Sequence, residues 1–528
     1  MSDLSLDQLL EEKPFLPTTE QQAILNEALS SDKSLMLTAM AGCSKSTTIE
    51  LLARVLPSKP SLYVVFNKKN QLEAQKKFAL PSGSLSKFGS AINVQVMTAN
   101  GLGHGAWSRA IGKRLTVNTR KIGDLVKKVI QEEKLRDVSS DDFVTIMRMV
   151  SIARHSGLVP KDWTRVKGLI EDDSDSWEQI GDALYLDPSE DHIFIARKVL
   201  VESIRQSYSG VIDFDDQIYM SALFGGVFPR FPVVYVDEAQ DLSPLNHLQI
   251  KKSAADRLIV VGDPRQAIYA FRGADSSSMD SIRELRPEWI ELPLSTTFRC
   301  PRAIVSRQQS HAPGFQAHPS NKAGEILTLS EWKIQDLLNG KPLAILCRNN
   351  APLLACALRI IKQNIGCTIL GGEIGRSLIS LSKRIVPSES THVDSAKVLI
   401  QDWAQKEISL AVANGKDSRV EIIRDKADCL LAVIEGSSAK TMTGVNQILS
   451  TMFSKENLQI TLSTGHKAKG LEWRTVIHLD PWRVPSKFAK KVASEGNPVP
   501  LEQDMNLKYV IETRAQERLI LANLEDLQ

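Results

Sequence analysis

Apolar positions follow two rhythms along this chain. Short β-branched runs recur at Ser34–Thr38, Leu62–Phe66, Val233–Val236, Leu258–Val261, Leu343–Cys347, Ile460–Leu462, Val476–Leu479 and Leu519–Ala522. Runs this short and this apolar read as strands buried on both faces. Between them apolar residues return at helical spacing, as at Phe143, Ile146, Met147 and Val150, with Gly157 as a stop. Strands alternating with helices predict parallel sheets covered on both sides. The runs form an early set, ending near residue 300, and a late set beyond it, which fits two α/β cores better than one large sheet. A polar helical stretch, residues 106–210, interrupts the first core and another, residues 373–455, the second. No repeat of fixed period is present.

The composition narrows the class of function. With 528 residues, 42% hydrophobic and 24% charged, the chain is an ordinary globular protein of several domains. Lys and Arg number 65 against 62 Asp and Glu, a net charge of +3, so any nucleic-acid binding must be local. Six scattered cysteines with no C-x-x-C pair argue against a disulfide framework and a zinc site. The acidic N-terminus lacks the basic and apolar regions of a signal peptide, and no uninterrupted run of about 20 apolar residues occurs. The expectation is a protein of a reducing, cytoplasmic compartment, with no membrane partner.

Three loops carry candidate chemistry. Strand Ser34–Thr38 runs into Ala39-Met40-Ala41-Gly42-Cys43-Ser44-Lys45-Ser46-Thr47-Thr48 and then a helical pattern. Such a loop cradles phosphate with successive backbone N–H groups, Lys45 reaching the β/γ-phosphates and Ser46 ligating Mg²⁺. Ala39 and Ser44 stand where the P-loop pattern has glycine. A Cβ at position 44 resists the usual backbone geometry at a cost of about 1–3 kcal/mol. The second loop, Asp237-Glu238-Ala239-Gln240-Asp241, places carboxylates at the carboxyl end of a strand, where α/β sheets bind ligands. There Asp237 would hold Mg²⁺ through water and Glu238 would orient or deprotonate the attacking water. The third, Gly262-Asp263-Pro264-Arg265-Gln266-Ala267-Ile268-Tyr269-Ala270-Phe271-Arg272-Gly273, is the most specific.

Together these loops resemble the superfamily 1 DNA helicases of the UvrD/Rep/PcrA type. The resemblance implies that Gln266 senses the γ-phosphate while Tyr269, Phe271 and Arg272 face single-stranded DNA, where base stacking tolerates any sequence. Further collinear elements extend it over most of the chain. Pro17-Thr18-Thr19-Glu20-Gln21 looks like the adenine-reading Q motif, with Gln22 alongside. Val64-Val65-Phe66-Asn67-Lys68 implies DNA contacts from Phe66 and Asn67. Of a Thr-x-His-Ser element, Thr98-Ala99-Asn100-Gly101 keeps only Thr98, and Ile212-Asp213-Phe214-Asp215-Asp216 resembles the signature that re-enters the first core. Leu294-Ser295-Thr296-Thr297-Phe298-Arg299-Cys300-Pro301 is similar to the fourth motif, Thr464 to Trp473 to the fifth, and Asn506 to Ala515 to the sixth. By resemblance Arg299 contacts phosphate, His466 DNA and Glu472 the ribose, and Arg514 is an arginine finger. The finer likeness leans towards the F-box DNA helicase branch and its phage or plasmid relatives.

What the resemblance implies is two RecA-like cores with ATP and Mg²⁺ between them: core 1A (1–105 and 211–298) with insertion 1B (106–210), and core 2A (299–372 and 456–528) with insertion 2B (373–455). It also implies an ATP-dependent translocase or helicase moving 3′ to 5′ on single-stranded DNA and at ss/ds junctions, in replication, recombination or repair, alongside proteins of those processes. Such a chain is cytoplasmic in a bacterial or phage-infected cell and nuclear in a eukaryote. Ser44 keeps a rival open, a single-stranded-DNA binder with impaired ATP hydrolysis. A P-loop enzyme acting on a protein or small molecule is the other.

Overall fold

The structure, a computed structural model, describes every residue except 1–16, 57–59, 66, 79–93, 136, 137, 139, 184–188, 269–277, 339, 414–416 and 453–458. The chain divides into two compact units, Met1–Thr296 and Thr297–Gln528.

The first unit is built on strands β1 (Ser34–Ala39), β2 (Ser61–Val65), β3 (Val94–Thr98), β4 (Phe231–Val236), β5 (Ala254–Gly262) and β6 (Trp289–Leu294). They lie in the order β3-β2-β4-β5-β1-β6, each paired in parallel with its neighbours. Leu35 faces Ile259 and Ile290 across the ladder, so β1 is flanked by β5 and β6, and β4 follows on the far side of β5. The all-parallel order puts the carboxyl ends of β2, β4, β5 and β1 along one edge, which is where the loops after them meet.

Residues between β3 and β4 form a helical body with a core of its own. Helices Ala99–Ile111, Lys121–Glu132, Ser140–His155, Glu190–Ser209 and Phe214–Leu223 bury Trp107, Val126, Met149, Val199 and Tyr219 together, whereas Met36, Leu62, Val234 and Val260 belong to the sheet's core. The stop expected at Gly157 is present, with φ +76° just after the helix ends at His155. A buried charge network ties the body together. Arg154 bonds Asp213 at 2.8 Å, Asp215 at 2.9 Å and Asp216 at 2.9 Å, and Lys121 reaches Asp216 at 2.6 Å.

The second unit repeats the plan with β7 (Glu325–Leu329), β8 (Leu343–Cys347), β9 (Cys367–Ile369), β10 (Ile460–Thr464), β11 (Trp473–Leu479) and β12 (Ala515–Ala522). The order is β7-β12-β11-β8-β10-β9, again parallel throughout. Four helices, Gly372–Ile385, Val393–Ala413, Asp417–Gly436 and Met442–Met452, intervene between β9 and β10. Leu430 and Leu449 from them join Ile345, Leu354 and Ile477 in one continuous core. Two α/β units with parallel sheets are the two RecA-like cores expected from the sequence. Among the described residues no helix is long and apolar enough to cross a membrane.

Candidate active site

The P-loop forms despite Ser44. After β1 the chain turns through Gly42 at φ +72° and Ser44 at φ +56°, ψ +37°, and Lys45 then opens the helix Lys45–Val55. The left-handed geometry that favours glycine is thus adopted by a serine, at about 1–2 kcal/mol. Glu238 carries the same kind of strain, at φ +51° just after β4. Two non-glycine residues held left-handed on facing loops mark where local strain is stored.

The side chains of these loops converge. Lys45 Nζ donates to Glu238 Oε2 at 2.6 Å, and Ser46 Oγ donates to Asp237 Oδ2 at 3.1 Å. Gln240 Nε2 reaches the same Glu238 oxygen at 2.7 Å, while its Oε1 accepts the Asp263 N–H at 2.9 Å. Asp263 in turn accepts from Gln266 Nε2 at 2.7 Å. A continuous chain therefore runs from Lys45 through Glu238, Gln240 and Asp263 to Gln266. Gly262 permits it, because a Cβ there would stand 3.0 Å from Gln240 Oε1 and 2.6 Å from Met279 Sδ. On the other side of the loop, buried Gln21 bonds Thr48 Oγ1 at 3.0 Å, which bonds Ser44 O at 3.1 Å, whereas the Gln22 amide turns back to Pro17 O.

The charges are interdependent. Burial works against the Lys45 ammonium, but Glu238, Asp237 and Asp263 reverse that effect and hold its pKa above the usual value. Burial, aided by the neighbouring Glu238 charge, raises Asp237, and burial raises Asp263. An acidic cluster around Lys45 is suited to a divalent cation paired with a polyphosphate. The donor set suits Mg²⁺, a hard cation that takes oxygen ligands and keeps several waters: the Ser46 hydroxyl would ligate it, with the Asp237 carboxylate 3.1 Å from that hydroxyl to accept from a bound water. Tyr63, on β2, donates to that Asp237 oxygen at 2.8 Å.

In the second unit Arg299, Glu472 and Arg514 come together at the amino-terminal edge of the sheet. Glu472 and Arg514 precede β11 and β12, whose first residues Trp473 and Ala515 are ladder partners, and Trp473 N bonds Arg514 O at 3.0 Å. Arg299 pairs with Glu472, whose other oxygen accepts Gln516 Nε2 at 2.8 Å. Arg514 is buried and donates to Val510 O at 2.9 Å, Leu471 O at 3.4 Å and Thr513 Oγ1 at 3.3 Å. His466 follows β10 and lies at the opposite, carboxyl-terminal edge.

Thr98 and Asn67 each make a local hydrogen bond. Thr98 Oγ1 caps the helix Ala99–Ile111 through Gly101 N at 3.1 Å, and Asn67 Oδ1 accepts Asn70 N at 2.9 Å. Phe66, Tyr269, Phe271 and Arg272 lie outside the described residues. Sequence reasoning gave no role to Gln240, Asp263, Thr48 or Tyr63. Spacing after strands β4 and β5 flags the first two, but Tyr63 reads only as a core aromatic.

Residues 115–286 match the family model of the UvrD/REP helicase N-terminal domain, and residues 422–526 that of the UvrD-like helicase C-terminal domain. The chain is 23% identical to F-box DNA helicase protein 1 of Schizosaccharomyces pombe, over 96% of this chain and 57% of that protein. It is 25% identical to ATP-dependent DNA helicase UvrD2 of Mycobacterium bovis, over 61% of this chain and 53% of that one. It is 27% identical to ATP-dependent DNA helicase PcrA of Staphylococcus aureus, over 32% of this chain and 27% of that protein. The chain thus spans little more than half the length of the first two.

Proposed function

We propose that this chain, which belongs to the UvrD-like helicases, hydrolyses Mg-ATP to move along single-stranded DNA in the 3′ to 5′ direction and to open duplexes at ss/ds junctions. The observation that carries the reading is the convergence of Lys45, Ser46, Asp237, Glu238 and Gln266 at the carboxyl ends of β1, β4 and β5.

The geometry suggests how the residues share the work. Lys45 exchanges Glu238 for the β/γ-phosphates when ATP enters, which frees Glu238 Oε2 to accept a proton from the attacking water. Gln240 keeps its bond to that carboxylate and steers it. Ser46 Oγ and, through water, Asp237 would hold Mg²⁺, which would supply charge neutralisation at the phosphate oxygens. Gln266, linked through Asp263 and Gln240 to Glu238, relays the state of the γ-phosphate towards the segment that carries Tyr269, Phe271 and Arg272. Arg299 and Arg514 stabilise the transferring phosphoryl, Gln21 reads the adenine and Glu472 the ribose. Phe66, Asn67, Thr98 and His466 complete the contacts to DNA. Proteins of replication or repair are the partners this activity calls for.

The rival, a DNA binder disabled by Ser44, is disfavoured by the loop's having already taken the left-handed geometry. The test is steady-state ATP hydrolysis with Mg²⁺, with and without single-stranded DNA, beside E238Q. Stimulation by DNA that vanishes in the variant supports a motor; no hydrolysis with DNA binding retained supports the rival.

A further inference from the structure

A buried charged cluster in the second unit stands beside Arg514 and has no part in the scheme above. Glu512 is the last residue of the helix Val499–Glu512 and is fully buried. A carboxylate at the carbonyl end of a helix is unfavourable there and needs compensation. It comes from the helix Arg302–Gln308: Arg307 Nε at 2.8 Å, Arg307 Nη2 at 3.1 Å and Gln308 Nε2 at 2.6 Å. His478 Nδ1, on β11 and also buried, lies 3.4 Å from Glu512 Oε1.

That cluster joins the two arginine-bearing segments. Arg302–Gln308 directly follows Phe298-Arg299-Cys300-Pro301, while Glu512 directly precedes Thr513-Arg514. A second link runs parallel to it, Cys300 Sγ to Thr513 O at 3.6 Å. Thr513 Oγ1 donates to Tyr509 O at 2.7 Å and accepts from Arg514 Nη2, so whatever fixes the helix end fixes the root of the Arg514 side chain. Well-packed apolar residues often replace a buried ion pair at no cost in stability. What this one adds beyond stability is geometry.

We infer that Glu512 is a positioning residue, which locks the segments of Arg299 and Arg514 into one rigid piece so that the two guanidiniums meet the reacting phosphate together. The inference rests on the reading of Arg299 and Arg514 given under Proposed function. Misplacement of a charge-stabilising group by a fraction of an ångström lowers turnover while leaving ground-state binding in place.

The experiment measures kcat and KM for Mg-ATP with saturating single-stranded DNA in the wild type, E512Q, R307Q, R514A and the E512Q/R514A double variant. Expected are a loss of about tenfold in kcat with KM changed less than about twofold for E512Q and for R307Q, and no added loss when E512Q is placed on R514A. Because Arg307 is partly exposed, R307Q keeps the test alive if E512Q does not fold. Unchanged kcat in R307Q and E512Q, or losses that multiply on the R514A background, overturn the inference. Full turnover by R514A alone overturns the parent reading instead, and the two failures are told apart by that single variant.

Discussion

Ser44 pays for its place with backbone strain, since its left-handed φ of +56° is one that a side chain resists and glycine does not. Replacing it with glycine removes that strain but loosens the unfolded chain, so S44G is expected to gain up to about 1 kcal/mol of stability by urea unfolding. Hydrolysis should change less than about twofold, because the loop already has its geometry. A large gain in DNA-stimulated turnover would instead favour the impaired binder. The same residue shows what the sequence reveals of the site. Lys45, Ser46, Asp237, Glu238 and Gln266 each follow a recognisable strand, and the structure brings all five together. The link through Gln240 and Asp263 was not legible, because it depends on β4 and β5 being neighbours and on the missing side chain of Gly262. Tyr63 sits in a fully apolar run, and only the sheet order shows its hydroxyl on Asp237.

At the scale of elements, eight strands read from apolar runs are present, and the four others described in the two six-stranded sheets, β3, β6, β7 and β9, are their edges. Central strands are buried on both faces and spell continuous apolar runs. Edge strands such as Val94–Thr98 and Trp289–Leu294 are half exposed, admit Gln95, Glu291 and Pro293, and so lose the signal. Buried polar clusters were equally silent. The Arg154 network is one whose disruption has a definite size: R154M leaves Asp213, Asp215 and Asp216 without their shared partner and is expected to cost about 3–5 kcal/mol in chemical denaturation. Glu512 gives a pH signature. Burial alone would raise its pKa, but the nearby His478 and the hydrogen bonds from Arg307 pull it down to about 2. A carboxylate depressed in the folded state stabilises fully above the ordinary glutamate range and loses that contribution as pH falls towards the folded value. The melting-temperature gap between wild type and E512Q should therefore narrow steadily from pH 5 to pH 3; a constant gap would show that the charge is not what matters.

For the whole molecule, a net charge of +3 leaves no general attraction for DNA, so the proposed function requires affinity to come from a restricted set of phosphate contacts together with base stacking. The two contributions respond differently to salt. Each neutralised phosphate adds about −0.7 to the slope of log affinity against log salt for single strands, whereas stacking adds nothing. Affinity for single-stranded DNA should fall along a shallow line and survive in E238Q, which removes a proton acceptor and leaves the surface intact. Turnover in the same variant should fall by about 10²-fold or more, since a positioned general base contributes on that order. A titration of fluorescent single-stranded DNA at several salt concentrations, with ATP hydrolysis followed in the same samples, reads both quantities at once. If E238Q lost DNA affinity and turnover in proportion, Glu238 would be acting on the fold rather than on water. If the salt slope were as steep as that of a polycation, the contacts would be spread over the surface, and the aromatic loop after β5 would no longer be needed to explain how the chain holds DNA.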